Sequence, residues 1–126
     1  MDKAGAIIWH DLTVSDAEQL RDFYASVMGW IAEPHDMESY CDFDMKDPES
    51  GATVAGVCHA RGLNAGIPPQ WMMYVQVADL AASLARCVEL GGEVIHGPRA
   101  PEEGGYAIVK DPAGAVCAIV QGKNGQ

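Results

Sequence analysis

The chain has 126 residues, the size of one domain, with 48% hydrophobic and 21% charged side chains. A formal net charge of −10 with only 8 Lys and Arg residues argues against a nucleic-acid partner, because neutralising phosphates needs clustered basic side chains. No apolar run approaches the ~18 residues of a membrane helix, so no membrane partner is expected. The opening Met1-Asp2-Lys3-Ala4 lacks a charged-then-apolar signal pattern, and Cys41, Cys58, Cys87 and Cys117 lack Cys-x-x-Cys spacing. They read as reduced, mostly buried small hydrophobes of a cytoplasmic protein.

The β-rich run Ala6 to Val14 comes first. Ser15-Asp16 then predicts a helix N-terminus, with Glu18 in the first turn. Apolar residues at 17, 20, 23, 24, 27 and 28 follow a 3.6-residue period, and Gly29 suits a left-handed C-terminus. Strands are predicted at Trp30 to His35, Tyr40 to Met45 and Thr53 to His59, the last two joined by the turn Asp47-Pro48-Glu49-Ser50-Gly51. Gly62 to Gln70, with Pro68-Pro69, breaks the pattern. A strand from Trp71 to Val77 precedes a helix capped by Asp79, with apolar positions 80, 84, 87, 88 and 90 and a terminal Gly92. Three more strands are predicted at Glu93 to His96, Tyr106 to Lys110 and Val116 to Gln121.

These elements repeat. Val14-Ser15-Asp16 and Gly29 recur as Val77-Ala78-Asp79 and Gly92, 63 positions on, and Lys46-Asp47-Pro48 recurs as Lys110-Asp111-Pro112. Two copies of a βαβββ unit are therefore predicted: module one at about 5–62, a connector at 63–70 and module two at about 71–122. The fold class is α+β, a single domain of two tandem modules whose curved mixed sheet surrounds a cleft, with the helices outside.

The ordered set Asp16, Phe23-Tyr24, Met28-Gly29-Trp30, Val77-x-Asp79, Leu90-Gly91-Gly92 and Asp111-Pro112-x-Gly114 resembles the vicinal oxygen chelate superfamily of glyoxalases, bleomycin-resistance proteins and extradiol dioxygenases. A narrower likeness to one branch rests on Trp9-His10-Asp11-Leu12 and Pro68-Pro69-Gln70-Trp71. The resemblance implies paired βαβββ modules, usually a homodimer, and in the metal-dependent members a divalent ion held in the cleft. Counting from the family's landmarks places three of its ligand positions at Trp9, Met72 and Ala118, and the fourth strand offers no carboxylate or imidazole from Val54 to Cys58. Zn, Ni, Fe or Mn needs nitrogen, oxygen or thiolate ligands that Trp, Met and Ala do not supply. No cofactor is therefore expected. A divalent metal, with His10 as a ligand if the strand register is shifted, is the alternative.

The remaining candidates follow from strand parity. Trp9, Asp11 and Thr13 share one face of the first strand, and His10 takes the other. Asp11 is a candidate general base, or an anchor for a cationic or hydroxylated ligand. Met72, Tyr74 and Gln76 share a face of the fifth strand, and with Trp9, Asp11, Thr13, Trp71 and Ala118 they form the expected ligand lining. Trp30 reads as structural, and Tyr106, after Gly104-Gly105, is a candidate proton donor or lid. His35, His59 and His96 fall near strand ends without local metal-clamp spacing, and Asp42 and Asp44 read as a solvated strand face. The expected function is small-molecule binding by a homodimer that lacks the family metal. The alternatives are a metal-dependent lyase, isomerase or dioxygenase, and metal-free acid–base chemistry by Asp11 with Tyr74 or Tyr106.

Overall fold

The computed structural model describes residues 3–99 and 104–122. Its elements follow the predicted order: β1 (Ile7–Val14), α1 (Ala17–Met28), β2 (Ile31–Asp36), β3 (Cys41–Lys46), β4 (Thr53–His59), β5 (Trp71–Gln76), α2 (Leu80–Glu89), β6 (Glu93–Arg99), β7 (Tyr106–Lys110) and β8 (Val116–Val120). Two differences stand out. The connector contains a short 3-10 turn at Gly62–Asn64, and β6 runs past His96 through Gly97 and Pro98 to Arg99. Pro98 is tolerated because β6 is the last strand in its sheet order, and its pairing with β7 shifts register between Val94 and His96 and again between His96 and Arg99.

The chain forms two compact units. In the unit spanning His10–Trp71, the strand order is β2-β3-β4-β1, with β1 parallel to β4 and the other neighbours antiparallel. The other unit comprises the described residues up to Trp9 and from Met72 onward, in the order β5-β8-β7-β6, again with one parallel pair, β5 and β8. The first residues of the chain belong with this unit: the Gly5 N–H donates to the Gln76 carbonyl (2.7 Å) and the Gln76 N–H to the Ala6 carbonyl (2.8 Å). Strand, helix and antiparallel strands thus recur as βαβββ, and the fold is α+β with a mixed sheet.

Both helices begin as the sequence dictates. Asp16 accepts from the Gln19 N–H (3.0 Å) and Asp79 from the Ala82 N–H (3.1 Å), each satisfying a first-turn donor that has no intrahelical partner. Gly29 closes α1 in the left-handed conformation (φ 77°), and its N–H donates to the Ala25 carbonyl. The second helix corrects the expectation for Gly92. The left-handed residue after α2 is Gly91 (φ 96°), whereas Gly92 is required by close packing: a Cβ there would lie 2.7 Å from Cys87 Sγ and 2.9 Å from the Lys110 carbonyl oxygen.

In the His10–Trp71 unit the core is Ala17 of α1 against Phe43 and Met45 of β3 and Ala55 and Val57 of β4, with Leu20, Tyr24, Trp30 and Trp71 packed around it. Each large side chain buried this way contributes about 1.5–3 kcal/mol. In the other unit Met72, Leu80, Ala107, Ile108 and Ala118 are buried.

Candidate functional site

The His10–Trp71 unit presents two chemically different sheet faces. Leu12 is in register with Val57 across the parallel pair, and Phe43 and Met45 are opposite Val57 and Ala55 across the antiparallel one. Because strand side chains alternate, these residues share the face covered by α1, and His10 lies on it as well, two positions before Leu12. Asp11 and Thr13 are in register with Gly56 and Cys58 on the opposite face, which Asp42 and Asp44 also occupy.

On the helix-bearing face, where α1 ends, lies a cavity of about 590 Å³ lined by His10, Met28, Trp30, Val54, Ala55 and Trp71. That volume suits a drug-sized organic ligand. Its walls are set by an aromatic cluster. Tyr24 and Trp71 meet edge-to-face at 5.2 Å, Trp30 and Trp71 at 5.8 Å and 78°, and the Trp71 Nε1–H donates to the Tyr24 hydroxyl (3.0 Å). Such perpendicular pairs are the favoured arrangement of ring quadrupoles, so the two indoles form a fixed corner. Met28 and Val54 are 54% and 38% exposed, which leaves apolar surface at the cavity open to a ligand.

The opposite face is polar. Burial pushes the Cys58 thiol well above its ordinary range, and the carboxylates of Asp11, Asp42 and Asp44 push it further, in that order. Cys58 is therefore held as the neutral thiol and is a poor nucleophile. Asp42 is not the solvated strand residue its alternation with Phe43 suggests: its side chain is 14% exposed, and its Oδ1 accepts from the His59 N–H (2.9 Å) and lies 3.3 Å from His59 Nδ1. His35 Nδ1 lies 3.3 Å from Asp44 Oδ2.

The predicted site residues divide between the two units. His10, Asp11, Thr13 and Trp71 lie in one, and Trp9, Met72, Tyr74, Gln76, Ala118 and Tyr106 in the other. Only His10 and Trp71 of these line the cavity. Asp11 and Thr13 face the other way, and Thr13 is buried. Met72, Gln76 and Ala118 are buried at 1%, 4% and 0% exposure, and Tyr74 is in register with Ala118. The Tyr106 hydroxyl lies 3.5 Å from His96 Nε2, and burial, followed by the nearby Arg99 charge, lowers the His96 pKa. Trp30, read from sequence as structural, is both packed against the core and part of the cavity wall. Met28, quoted only within the motif Met28-Gly29-Trp30, and Val54 and Ala55 were not assigned to the site by sequence reasoning. No local signal marks them, because they meet His10 and Trp71 only through the fold.

The family metal does not fit these residues. Trp9, Met72 and Ala118 offer no ligand atoms of the required kind. Among the described residues, no group of three or more His, Cys, Asp or Glu side chains is placed to hold an ion.

Residues 8–120 match the family model for the glyoxalase-like domain. The chain is 27% identical over 122 residues to the protein named "Putative glyoxylase CFP32" of Mycobacterium tuberculosis, covering 96% of this chain and 46% of that one. It is 28% identical over 123 residues to the anthracycline biosynthesis protein DnrV of Streptomyces peucetius, covering 96% and 43%. The chain thus spans less than half the length of these curated relatives. A methylmalonyl-CoA epimerase solved with methylmalonyl-CoA and NH4+ superposes with a TM-score of 0.57 over 98% of this chain and 99% of that one, at 15% identity, and so shares its fold. With the family model matched across nearly the whole chain and the paired βαβββ units in place, the protein belongs to the glyoxalase-like domain family of the vicinal oxygen chelate superfamily.

Proposed function

We propose that this protein is a glyoxalase-like small-molecule-binding domain whose ligand, a flat and largely apolar organic molecule, occupies the cavity between Trp30 and Trp71. The observation that carries this reading is the cavity itself: about 590 Å³, with two indoles held at 78° and a lining otherwise of Met28, Val54, Ala55 and His10. Rigid indoles contribute large contact area with little ordering cost on binding, and Met28 adapts to irregular ligand edges. The relatives' names agree with it in kind, since anthracyclines are planar fused-ring molecules. The protein is taken to work without a bound metal, as a cytoplasmic homodimer.

Titration of the purified protein with a panel of planar aromatic compounds, followed by tryptophan fluorescence and calorimetry, tests the reading. Saturable binding is expected, weakened at least tenfold by Trp71→Ala and unaffected by Trp9→Phe, which lies outside the cavity. Absence of saturable binding across the panel, or affinity unchanged in Trp71→Ala, refutes it.

Metal-free acid–base chemistry at Asp11 is a second reading. It is favoured by the convergence of Asp11, Asp42 and Asp44 around Cys58 on the opposite face. Turnover that is lost in Asp11→Asn and retained in Trp71→Ala would assign the chemistry to that face.

A further inference from the structure

Resting on the cavity reading above, we infer that the ligand is a neutral planar aromatic carrying a phenolic or carbonyl oxygen, bound with that oxygen at His10 and its rings in the Trp30–Trp71 corner, and not a cation.

Two observations narrow the ligand this far. The first is where the charge lies. The chain carries a net charge of −10, which taken alone favours a cationic ligand. Yet among the described residues the cavity lining contains no Asp or Glu, and the sheet carboxylates that act together on Cys58, those of Asp11, Asp42 and Asp44, belong to the opposite face. A cation in the cavity would find only the ring faces, worth little where water still reaches it. The sheet therefore separates these three carboxylates from the aromatic cavity.

The second observation is the balance of polar groups in the lining. Among the described residues, side-chain N–H groups and nitrogens occur there only on His10 and the two indoles. The Trp71 Nε1–H is already committed to the Tyr24 hydroxyl at 3.0 Å. The His10 side chain makes no hydrogen bond or ion pair with any described residue. A neutral imidazole offers one donor and one acceptor, so His10 can accept from a phenol or donate to a carbonyl, whichever tautomer is required. An aromatic with neither group would leave the imidazole to water and gain only ring contact. One neutral hydrogen bond in a half-open site corresponds to about a fivefold gain in affinity.

The test compares three probes of the same ring system: naphthalene, 2-naphthol and naphthyl-trimethylammonium. Binding is followed by NMR at the indole N–H signals of Trp30 and Trp71 in the full chain. Expected is 2-naphthol about fivefold tighter than naphthalene, with the ammonium probe no tighter than naphthalene. In His10→Leu the ratio of 2-naphthol to naphthalene affinity falls to about one, and in His10→Gln, which restores a donor and an acceptor, the advantage of 2-naphthol returns. Equal affinities for naphthalene and 2-naphthol, an advantage surviving His10→Leu, or tightest binding of the ammonium probe each overturns the inference and leaves the cavity reading standing. If no probe moves the Trp30 and Trp71 signals, the cavity reading itself falls.

Discussion

Tyr24→Phe removes one oxygen atom and isolates the hydrogen bond that fixes the aromatic corner. The Trp71 Nε1–H lies 3.0 Å from that oxygen. The ring contacts, edge-to-face with Trp71 at 5.2 Å and tilted against Trp30 at 6.1 Å, survive in Phe because they do not involve the hydroxyl. What is lost is one neutral hydrogen bond between two half-buried side chains, and the indole N–H is left in a partly water-accessible place. The expected cost is about 1 kcal/mol, below the penalty for a fully buried orphan donor. For a domain of this size that lowers the melting temperature by about 4 °C. Urea denaturation followed by tryptophan fluorescence measures it, and a cycle with Trp71→Phe, which removes the donor and keeps an aromatic ring, separates the bond from the packing. A coupling near 1 kcal/mol is expected. A coupling below about 0.3 kcal/mol, the scatter of independent sites, would refute the claim that this bond sets the corner.

Gly92→Ala places a methyl 2.7 Å from Cys87 Sγ and 2.9 Å from the Lys110 carbonyl oxygen, and should cost about 1–3 kcal/mol as overpacking against backbone. Gly66→Ala, with open space around it, is the near-neutral control, and equal urea midpoints for the two would contradict the packing. Cys58 gives a pH dependence whose sign follows from its raised thiol pKa: the neutral thiol is favoured in the folded state, so its contribution to stability is complete below the unfolded thiol value of about 8.5 and declines as pH rises above that toward the folded value. Stability measured from pH 7 to 10.5 should fall more steeply in the native protein than in Cys58→Ala, and parallel curves would dispose of the argument.

Much of the fold was readable along the chain because its determinants are local. The alternation Phe43-Asp44-Met45, the 3.6-residue apolar spacing from Ala17 to Met28, the capping carboxylates Asp16 and Asp79 and the Asp-Pro turns act over a few residues. The observed elements accordingly begin and end within about a turn of expectation. Even the parity of His10 against Trp9 and Asp11 follows from the two-residue repeat of a strand. Where local signals conflicted, reading failed: Gly97-Pro98 looked like the end of a strand, but an edge strand with two register shifts absorbs them.

The tertiary structure alone decided which residues meet. Trp71 is 47 positions from Tyr24 and bonds to it, and Trp71 and Trp30 wall a cavity whose other lining residues include Val54 and Ala55, which carry no mark of function in their own neighbourhoods. Composition likewise showed an acidic protein, yet strand pairing, Asp11 with Gly56 and Leu12 with Val57, sent Asp11, Asp42 and Asp44 to one face and the aromatic cavity to the other. A side chain's periodicity tells which way it points relative to its own strand. Only strand registration and helix packing, which join residues far apart in the chain, determine what it points at.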